Sequence, residues 1–123
     1  MATSNVAFFS PSGDRANYMV VQAPEDIEIV LVDPTLSEDE KASLCRNVDA
    51  IISMDVSLDV LRRSPNVKLT QTLSAGYDRL DLAAILEMGI PVANNGGANA
   101  IAVSEHTIAI MISLSGKLWH QYD

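Results

Sequence analysis

Short apolar runs alternate along this chain with polar or mixed segments. Five runs have the length and composition of buried strands; they are residues 6–9, 27–32, 50–52, 67–73 and 90–93. The segments between them predict helices; these are residues 14–21, a stretch through residue 46 that begins at a Ser37–Glu40 capping box, and residues 57–63 and 82–88, the last closed by Gly89. Such alternation predicts an α/β fold in which a parallel sheet has helices on both faces.

A short strand, a Gly-rich turn and a long helix are predicted within residues 89–119. Asn99 is the expected N-cap, because its side-chain oxygen can accept from the first free backbone N–H groups of the helix. Apolar residues then occur on every face of the helix; they are Ile101, Val103, Ile108, Ile110, Met111, Ile112, Leu114 and Leu118. A helix of this kind has to be covered on all sides. We therefore expect cover from another chain or from sequence outside these 123 residues, with a domain boundary near residue 98.

Charge and composition narrow the possible partners. The 123 residues are 48% hydrophobic and 20% charged, as in ordinary globular domains, and their net charge is −8. Nucleic acids and anionic membrane surfaces bind basic patches, so we expect neither as a partner. The same charge opposes small anions at long range, and an anion site here depends on local backbone donors or on basic residues from elsewhere.

A cytoplasmic location is expected from cysteine usage and from the terminal sequence. The single cysteine, Cys45, cannot form a disulfide within the chain, which fits a reducing compartment. We expect Cys45 to be buried in a helix, because no histidine lies near it in sequence to activate the thiol. No basic start followed by an apolar run marks a signal peptide, and the longest apolar run of the last helix, residues 108–112, is too short to span a bilayer.

Ligands of parallel sheets bind beyond the carboxyl ends of the strands. The loop of residues 10–13 contains Ser and Gly and could hold a phosphate, although a simple turn is the favoured interpretation. In residues 74–78, the N–H groups of Ala75 and Gly76 could form a small anion-binding concavity, or the segment could be only a turn.

Residues 94–99 lie at the N-terminus of the long helix, where the helix dipole favours negative charge. If the fourth and fifth strands are neighbours, this loop faces residues 74–78 across a cleft suited to a carboxylate. Asn99 could then hold a substrate through its amide as well as cap the helix.

Other polar residues do not make a catalytic or metal site by sequence. His106 is expected to have a packing or supporting role, since adjacent Glu105 lies on a different helix face. His120 is close to the end of the sequence. The acidic residues 38–40 form a solvated helix start, and with two histidines and a single cysteine the chain has no zinc pattern.

Three motifs together resemble a known family. They are Leu-Ser-Ala-Gly-Tyr-Asp-Arg-Leu-Asp-Leu at residues 73–82, Gly-Ile-Pro-Val-Ala-Asn at 89–94 and Asn-Ala-Ile-Ala-Val-Ser-Glu-His-Thr at 99–107. In this order and spacing they are similar to the NAD-dependent D-isomer-specific 2-hydroxyacid dehydrogenases. The resemblance implies a flavodoxin-like, five-stranded substrate domain in residues 1–97 and a connector helix in residues 98–123 that leads to a dinucleotide-binding domain.

The resemblance also implies roles for individual residues. Backbone donors of Ala75 and Gly76, with Ser74, would bind the carboxylate of a small 2-hydroxy or 2-oxo acid. Asn99 would contact the substrate or the nicotinamide, and Val103 would line the nicotinamide pocket. The implied cofactor is NAD or NADP, and the apolar last helix suggests a homodimer.

Several parts of the family pattern are absent from these 123 residues. The G-x-G-x-x-G phosphate loop does not occur, and the catalytic Arg, Glu and His of the family have no counterparts, since neither histidine is at the matching place. No catalytic residue is therefore assigned, and we expect the chain alone not to transfer hydride. It is either the substrate-binding portion of a longer dehydrogenase or a stand-alone flavodoxin-like domain that binds a ligand or partner without catalysis.

Two other classes of α/β protein fit less well. A phosphoreceiver domain needs an acidic pair after the first strand and a Lys after the fifth; Asp55 could accept the phosphoryl group, but Phe8, Phe9 and Ser10 supply no acid pair. A flavodoxin-type electron carrier needs aromatic residues to stack on the flavin, and Tyr77 is the one aromatic beside a candidate loop.

Overall fold

The computed structural model of the protein describes residues 3–117. Within that range one parallel sheet contains β1 (Ser4–Phe9), β2 (Ile27–Val32), β3 (Ala50–Ile52), β4 (Leu69–Gln71) and β5 (Val92–Ala93). The helices are α1 (Asp14–Gln22), α2 (Glu38–Cys45), α3 (Leu58–Arg62), α4 (Leu82–Glu87) and α5 (Ala100–Ser115). The strand order β2-β1-β3-β4-β5 is that of flavodoxin-like folds, and the predicted α/β class is confirmed.

The strands β4 and β5 are shorter than predicted, because some of their apolar neighbours are buried in turns. Val67 is 8% exposed, yet its N–H donates to the carbonyl of Ser64 in the turn after α3. Ile90 is 7% exposed, and its N–H donates to the carbonyl of Ile85 at the end of α4. In both places the apolar residues of the sequence pattern are buried, but they lie in turns and not in strands.

Helices α2, α3 and α4 each begin with a side-chain N-cap. The predicted capping box of α2 is confirmed: Ser37 Oγ accepts from the N–H of Glu40 at 3.3 Å, and Glu40 Oε2 accepts from the N–H of Ser37 at 2.9 Å. Ser57 caps α3 in the same way. Asp81 caps α4 by accepting from the N–H of Ala84 at 3.1 Å, a cap that the sequence analysis did not identify.

One face of the sheet is covered by α2, α3 and α4. Ala7 of β1 and Ile51 of β3 lie opposite each other in the register and are fully buried in this core. Cys45, the last residue of α2, is buried beside them as predicted, and desolvation raises the pKa of its thiol to about 11. The thiol therefore stays protonated and unreactive at neutral pH.

The opposite face carries α1. Side chains alternate along a strand, so Phe8 points away from Ala7, and it is buried on the same side as Ala16 of α1. Helices thus occupy both faces, as predicted. The side chains of Leu31 and Leu69 lie on this same face of the sheet by strand register, and they remain 39% and 37% exposed.

No residue of α5 is buried. Its large apolar side chains are between 45% and 76% exposed; they are Ile101, Val103, Ile108, Ile110, Met111, Ile112 and Leu114. The prediction of an apolar helix without cover inside this chain is confirmed for these residues, and Leu118 lies outside the described residues. Within residues 3–117, no helix combines the length and the hydropathy that crossing a bilayer requires.

Candidate functional site

Two loops leave the sheet side by side at the ends of β4 and β5. These strands are paired in parallel, with Thr70 opposite Val92 and Gln71 opposite Ala93. Their carboxyl ends therefore meet at one edge of the sheet, where ligands bind in open α/β folds. We call residues 73–78 the first loop and residues 94–99 the second loop.

The two loops are joined directly by hydrogen bonds. The N–H of Asn95 donates to the carbonyl of Ser74 at 2.9 Å, and Asn94 Nδ2 donates to the carbonyl of Ala75 at 2.9 Å. A longer contact of 3.5 Å runs from Asn95 Nδ2 to the carbonyl of Leu73. The sequence analysis expected the two loops to face each other across a cleft if β4 and β5 are neighbours; the strands are neighbours, and hydrogen bonds also join the loops at this edge. Both asparagines were missed as site residues, and their position directly after β5 was the available signal.

Hydroxyl groups also bind two carbonyls of the first loop, those of Ser74 and Gly76. Thr72 Oγ1, which belongs to a fully buried residue, donates to the carbonyl of Ser74 at 2.8 Å. Ser74 Oγ donates to the carbonyl of Gly76 at 2.6 Å. Every carbonyl from residue 73 to residue 76 therefore has a hydrogen-bond donor nearby.

The backbone N–H groups of the first loop are used differently. Within the described part of the chain, the N–H groups of residues 74–77 donate to no acceptor. Ala75, Gly76 and Tyr77 are exposed, so these donors are open to solvent. Successive free N–H groups form the kind of concavity that binds an anion. The predicted residues Ser74, Ala75 and Gly76 are thus brought together in one short row.

Negative charge opposes an anion in this row. Asp78 is the one side chain of the two loops that is charged at neutral pH. Its Oδ2 lies 3.3 Å from the position that a Cβ would take on Gly76, so the carboxylate is beside the N–H groups. Within the two loops, attraction for an anion comes from the free N–H groups and from the side-chain amides.

Asn99 occupies the N-cap position of α5, but its side chain does not cap the helix. Its backbone has φ −117° and ψ 11°, whereas Ser57, which does cap α3, has an extended ψ of 155°. The predicted side-chain cap was therefore wrong, because the backbone does not direct the amide at the first N–H groups. The consequence is an exposed amide without a hydrogen bond among the described residues.

Val103 lies on α5 at 54% exposure, four residues after Asn99. Residues four apart share one side of a helix and are separated by about 6 Å along its axis. The carbonyl of Asn99 accepts from the N–H of Val103 at 2.9 Å in the first turn of α5. Asn99 and Val103 are therefore one turn apart at the start of α5.

An open, largely apolar cavity of about 400 Å³ lies beside the first loop; it is lined by Tyr77, Leu82, Leu86, Val92, Ala93 and Asn94. Leu82 and Leu86 are one turn apart on α4, and Leu86 is 58% exposed. The sequence analysis did not identify this cavity, although the spacing of the two leucines was a signal for an apolar stripe.

Other candidates of the sequence analysis remain apart from these loops. Residues 10–13 line a shallow cavity of about 260 Å³ together with acidic Asp14 and basic Arg15, whose charges offset each other. His106 is exposed on α5. His120 lies outside the described residues. Within residues 3–117, no group of three or more His, Cys, Asp or Glu side chains is arranged to hold a metal.

Comparisons with known proteins converge on one family. Residues 6–116 match the sequence model of the D-isomer specific 2-hydroxyacid dehydrogenase catalytic domain. A 2-hydroxyacid dehydrogenase homolog of Haemophilus influenzae is 29% identical over 122 residues, which are 95% of this chain and 37% of that protein. The pyruvate reductase of Chlamydomonas reinhardtii superposes with a TM-score of 0.67 at 25% identity, over 98% of this chain and 37% of that one.

A third relative shares the fold at lower identity. The NAD⁺-bound 3-phosphoglycerate dehydrogenase of Entamoeba histolytica superposes with a TM-score of 0.70 at 23% identity, over 91% of this chain and 39% of that one. The chain is short beside such proteins: it spans 12%, 27% and 37% of the length of three curated relatives.

Proposed function

Because the chain belongs to the D-isomer specific 2-hydroxyacid dehydrogenase family, we propose that it is the substrate-binding part of an enzyme that transfers a hydride between NAD or NADP and a D-2-hydroxy acid or 2-oxo acid. The family match over residues 6–116 carries this proposal. The row of free N–H groups beyond β4 supports it, since a 2-oxo acid offers a carboxylate to such donors.

Individual residues have separate roles in this proposal. The backbone N–H groups of Ala75 and Gly76, with Ser74, bind the carboxylate of the substrate. Asn99 contacts the substrate or the nicotinamide through its amide, and the freedom of that amide from capping supports the role. Val103, on the same side of α5, lies beside the nicotinamide.

The proposal divides the sequence into two functional parts. Residues 1–97 form the substrate domain, and residues 98–123 form the connector to a dinucleotide-binding domain outside this sequence. The residues present do not fit a whole dinucleotide: Val103 offers one apolar contact, no G-x-G-x-x-G loop occurs, and a net charge of −8 opposes a pyrophosphate. Hydride transfer needs cofactor and substrate held together, so we expect no NADH oxidation by these 123 residues with a 2-oxo acid.

The exposed apolar surface of α5 supports a homodimer in which this helix packs against its counterpart. A cytoplasmic enzyme fits the single buried cysteine, because such thiols stay reduced there. The homodimer and the cytoplasmic location both belong to the proposed function.

Titration with pyruvate followed by two-dimensional NMR of the ¹⁵N-labelled chain tests the carboxylate site. We expect saturable shifts of the amide signals of residues 75–77, with a dissociation constant on the order of millimolar for so small a ligand. Methyl pyruvate is the matched control, since it lacks the charged carboxylate and should leave these signals unchanged. Equal shifts with both compounds, or shifts confined to another surface, would contradict the proposal.

A second candidate is a ligand-binding domain without catalysis. The observation in its favour is that this chain's own groups hold the first loop, so that carboxylate binding needs no second domain. The coding sequence separates the two candidates. A reading frame that continues into a glycine-rich strand–turn–helix favours the enzyme, and a stop directly after residue 123 favours the binding domain.

A further inference from the structure

One peptide group at the centre of the first loop is held by the side chain of Asn94. Asn94 Nδ2 donates to the carbonyl oxygen of Ala75 at 2.9 Å, across a sequence separation of 19 residues. In a planar trans peptide, the C=O of one residue and the N–H of the next point in opposite directions. Fixing the Ala75 carbonyl towards the second loop therefore fixes the N–H of Gly76 away from it.

The two flanking peptide groups are fixed by the same rule. The carbonyl of Ser74 accepts from Thr72 Oγ1 at 2.8 Å and from the backbone N–H of Asn95 at 2.9 Å, which sets the N–H of Ala75. The carbonyl of Gly76 accepts from Ser74 Oγ at 2.6 Å, which sets the N–H of Tyr77. Each of these three consecutive N–H groups thus points away from the donor that holds its own peptide carbonyl.

We propose that Asn94 is a positioning residue of the carboxylate site: its amide orients the N–H of Gly76, which lies between the donors of Ala75 and Tyr77, without touching the substrate. This inference rests on the proposed function, in which the first loop binds a substrate carboxylate. The flanking groups are oriented by backbone or by local hydroxyls, whereas the central group depends on a side chain from the other loop.

The surroundings of Asn94 suit this task. A Cβ placed on Gly96 would come within 3.3 Å of Asn94 Oδ1 and 3.7 Å of Nδ2, so the bare glycine leaves the space that the amide occupies. The amide nitrogen faces the Ala75 carbonyl because a carbonyl accepts hydrogen bonds and cannot donate them. An aspartate at this position has no donor and would repel both that carbonyl and a bound carboxylate.

The orientation of the N–H groups matters more for anion binding in this loop than it would in a site with basic side chains. The charged side chain of the two loops is acidic Asp78, so the binding energy for an anion depends on N–H groups that already point at it. A carbonyl that accepts a hydrogen bond also polarises the N–H of its own peptide group and makes it a better donor. Both effects are lost when the Asn94 amide is removed.

The test compares Asn94→Ala with Asn66→Ala in the complete 123-residue chain. Asn66 is exposed in the connection between α3 and β4, and its side chain has no hydrogen bond among the described residues. In pyruvate titrations followed by NMR, we expect Asn94→Ala to raise the dissociation constant about tenfold and Asn66→Ala to leave it unchanged. Asn94→Asp should weaken binding further because of its charge.

A purely structural effect is separated by two measurements without ligand. Thermal unfolding should show equal Tm values for Asn94→Ala and Asn66→Ala, since an exposed loop bond adds little to global stability. The ¹⁵N relaxation of Gly76 should show faster motion in Asn94→Ala, while residues of β3 keep their order. A Gly96→Ala variant, which presses on the Asn94 amide, should weaken pyruvate binding in the same direction by a smaller factor.

Equal pyruvate affinity in Asn94→Ala and the unmodified chain would overturn the inference and leave the proposed function intact. Unchanged relaxation of Gly76 in Asn94→Ala would overturn it as well, because the amide would then not order the loop. If the unmodified chain fails to bind pyruvate, the proposed function fails, and the relaxation of Gly76 alone decides whether Asn94 orients this peptide group.

Discussion

At the scale of single residues, the hydrogen bonds of the first loop separate two kinds of contribution. Backbone N–H groups face the proposed ligand, and the side chains of Thr72, Ser74 and Asn94 hold the opposite side of the same peptide groups. The sequence pointed to Ser74, Ala75 and Gly76, because Ser and Gly after a strand are typical of ligand loops. It did not point to Asn94, because a contact across 19 residues leaves no local pattern.

Ser74→Ala tests this division at another peptide group. Losing the 2.6 Å hydrogen bond to the Gly76 carbonyl should release the N–H of Tyr77 and raise the pyruvate dissociation constant about fivefold. NMR titration measures the constant, and Ser43→Ala on the exposed face of α2 is the control. A constant equal to that of the unmodified chain, with an unshifted Tyr77 amide, would contradict the assignment.

The residue scale also explains why the side chain of Asn99 was wrongly predicted to cap α5. Asparagine is a favoured N-cap, and Asn99 does precede α5, but its ψ of 11° does not direct the side chain at the first N–H groups. Ser37, Ser57 and Asp81, whose ψ values are 157°, 155° and 81°, do cap their helices. Residue identity predicted the position of the helix start, and the backbone angle decided the use of the side chain.

At the scale of elements, α5 differs from the four other helices of the described range. Helices α2, α3 and α4 bury apolar residues in one core, and α1 buries Ala16 on the other face. The 16-residue helix α5 buries none, although isolated helices of this length are marginal in water. Its apolar composition predicted this, because a pattern without a polar face has no solvent side.

Paired substitutions on α5 test the proposed homodimer. Ile108 and Ile112 are both 56–61% exposed and lie one turn apart. We expect the unmodified chain to elute as a dimer in size-exclusion chromatography with light scattering, and Ile108→Glu with Ile112→Glu to give a monomer, because charges are costly inside an apolar interface. Ser115→Glu near the helix end is the control. A monomeric unmodified chain at high concentration would remove the dimer from the proposal.

At the scale of the whole molecule, the strand order followed from the sequence as far as chain alternation allows. Alternating strands and helices predicted a parallel sheet, and the resemblance of three motifs to a family supplied the flavodoxin-like order. The joining of the two loops was not predictable, since it depends on the register that places Gln71 opposite Ala93. Strand pairing is set by the packed fold as a whole, which local periodicity does not report.

The stability of the whole fold at acidic pH depends in part on one carboxyl group, that of Asp49. Asp49 precedes β3; its Oδ1 binds Lys68 Nζ at 2.9 Å, and its Oδ2 accepts from the N–H of Asn5 at 3.0 Å. The bond from Lys68, followed by that from Asn5, lowers the pKa of Asp49 below its ordinary value of 3.8. A carboxyl whose pKa is lower in the folded state stabilises the fold above pH 3.8 and loses this effect as the pH falls through the folded value.

We therefore expect Asp49→Asn to lower the Tm at pH 7, and the difference from the unmodified chain to shrink as the pH falls below 3.8. Thermal unfolding followed by circular dichroism across this range measures the effect. Asp26→Asn is the control, because the side chain of Asp26 forms no hydrogen bond within residues 3–117. A difference in Tm that stays constant down to strongly acidic pH would show that the charge of Asp49 does not stabilise the fold.

Because the proposed ligand is bound by backbone N–H groups beyond β4, side-chain substitutions at this edge of the sheet will affect its binding in an unusual pattern. Every amino acid except proline carries the same main-chain donor, so replacing Ala75 by another small residue leaves the binding groups chemically intact. Such a substitution would thus report no loss at a residue that holds the ligand, whereas Asn94→Ala would report a loss at a residue that never meets it. Proline at residue 75, 76 or 77 deletes a donor outright and is the substitution that identifies the binding atoms.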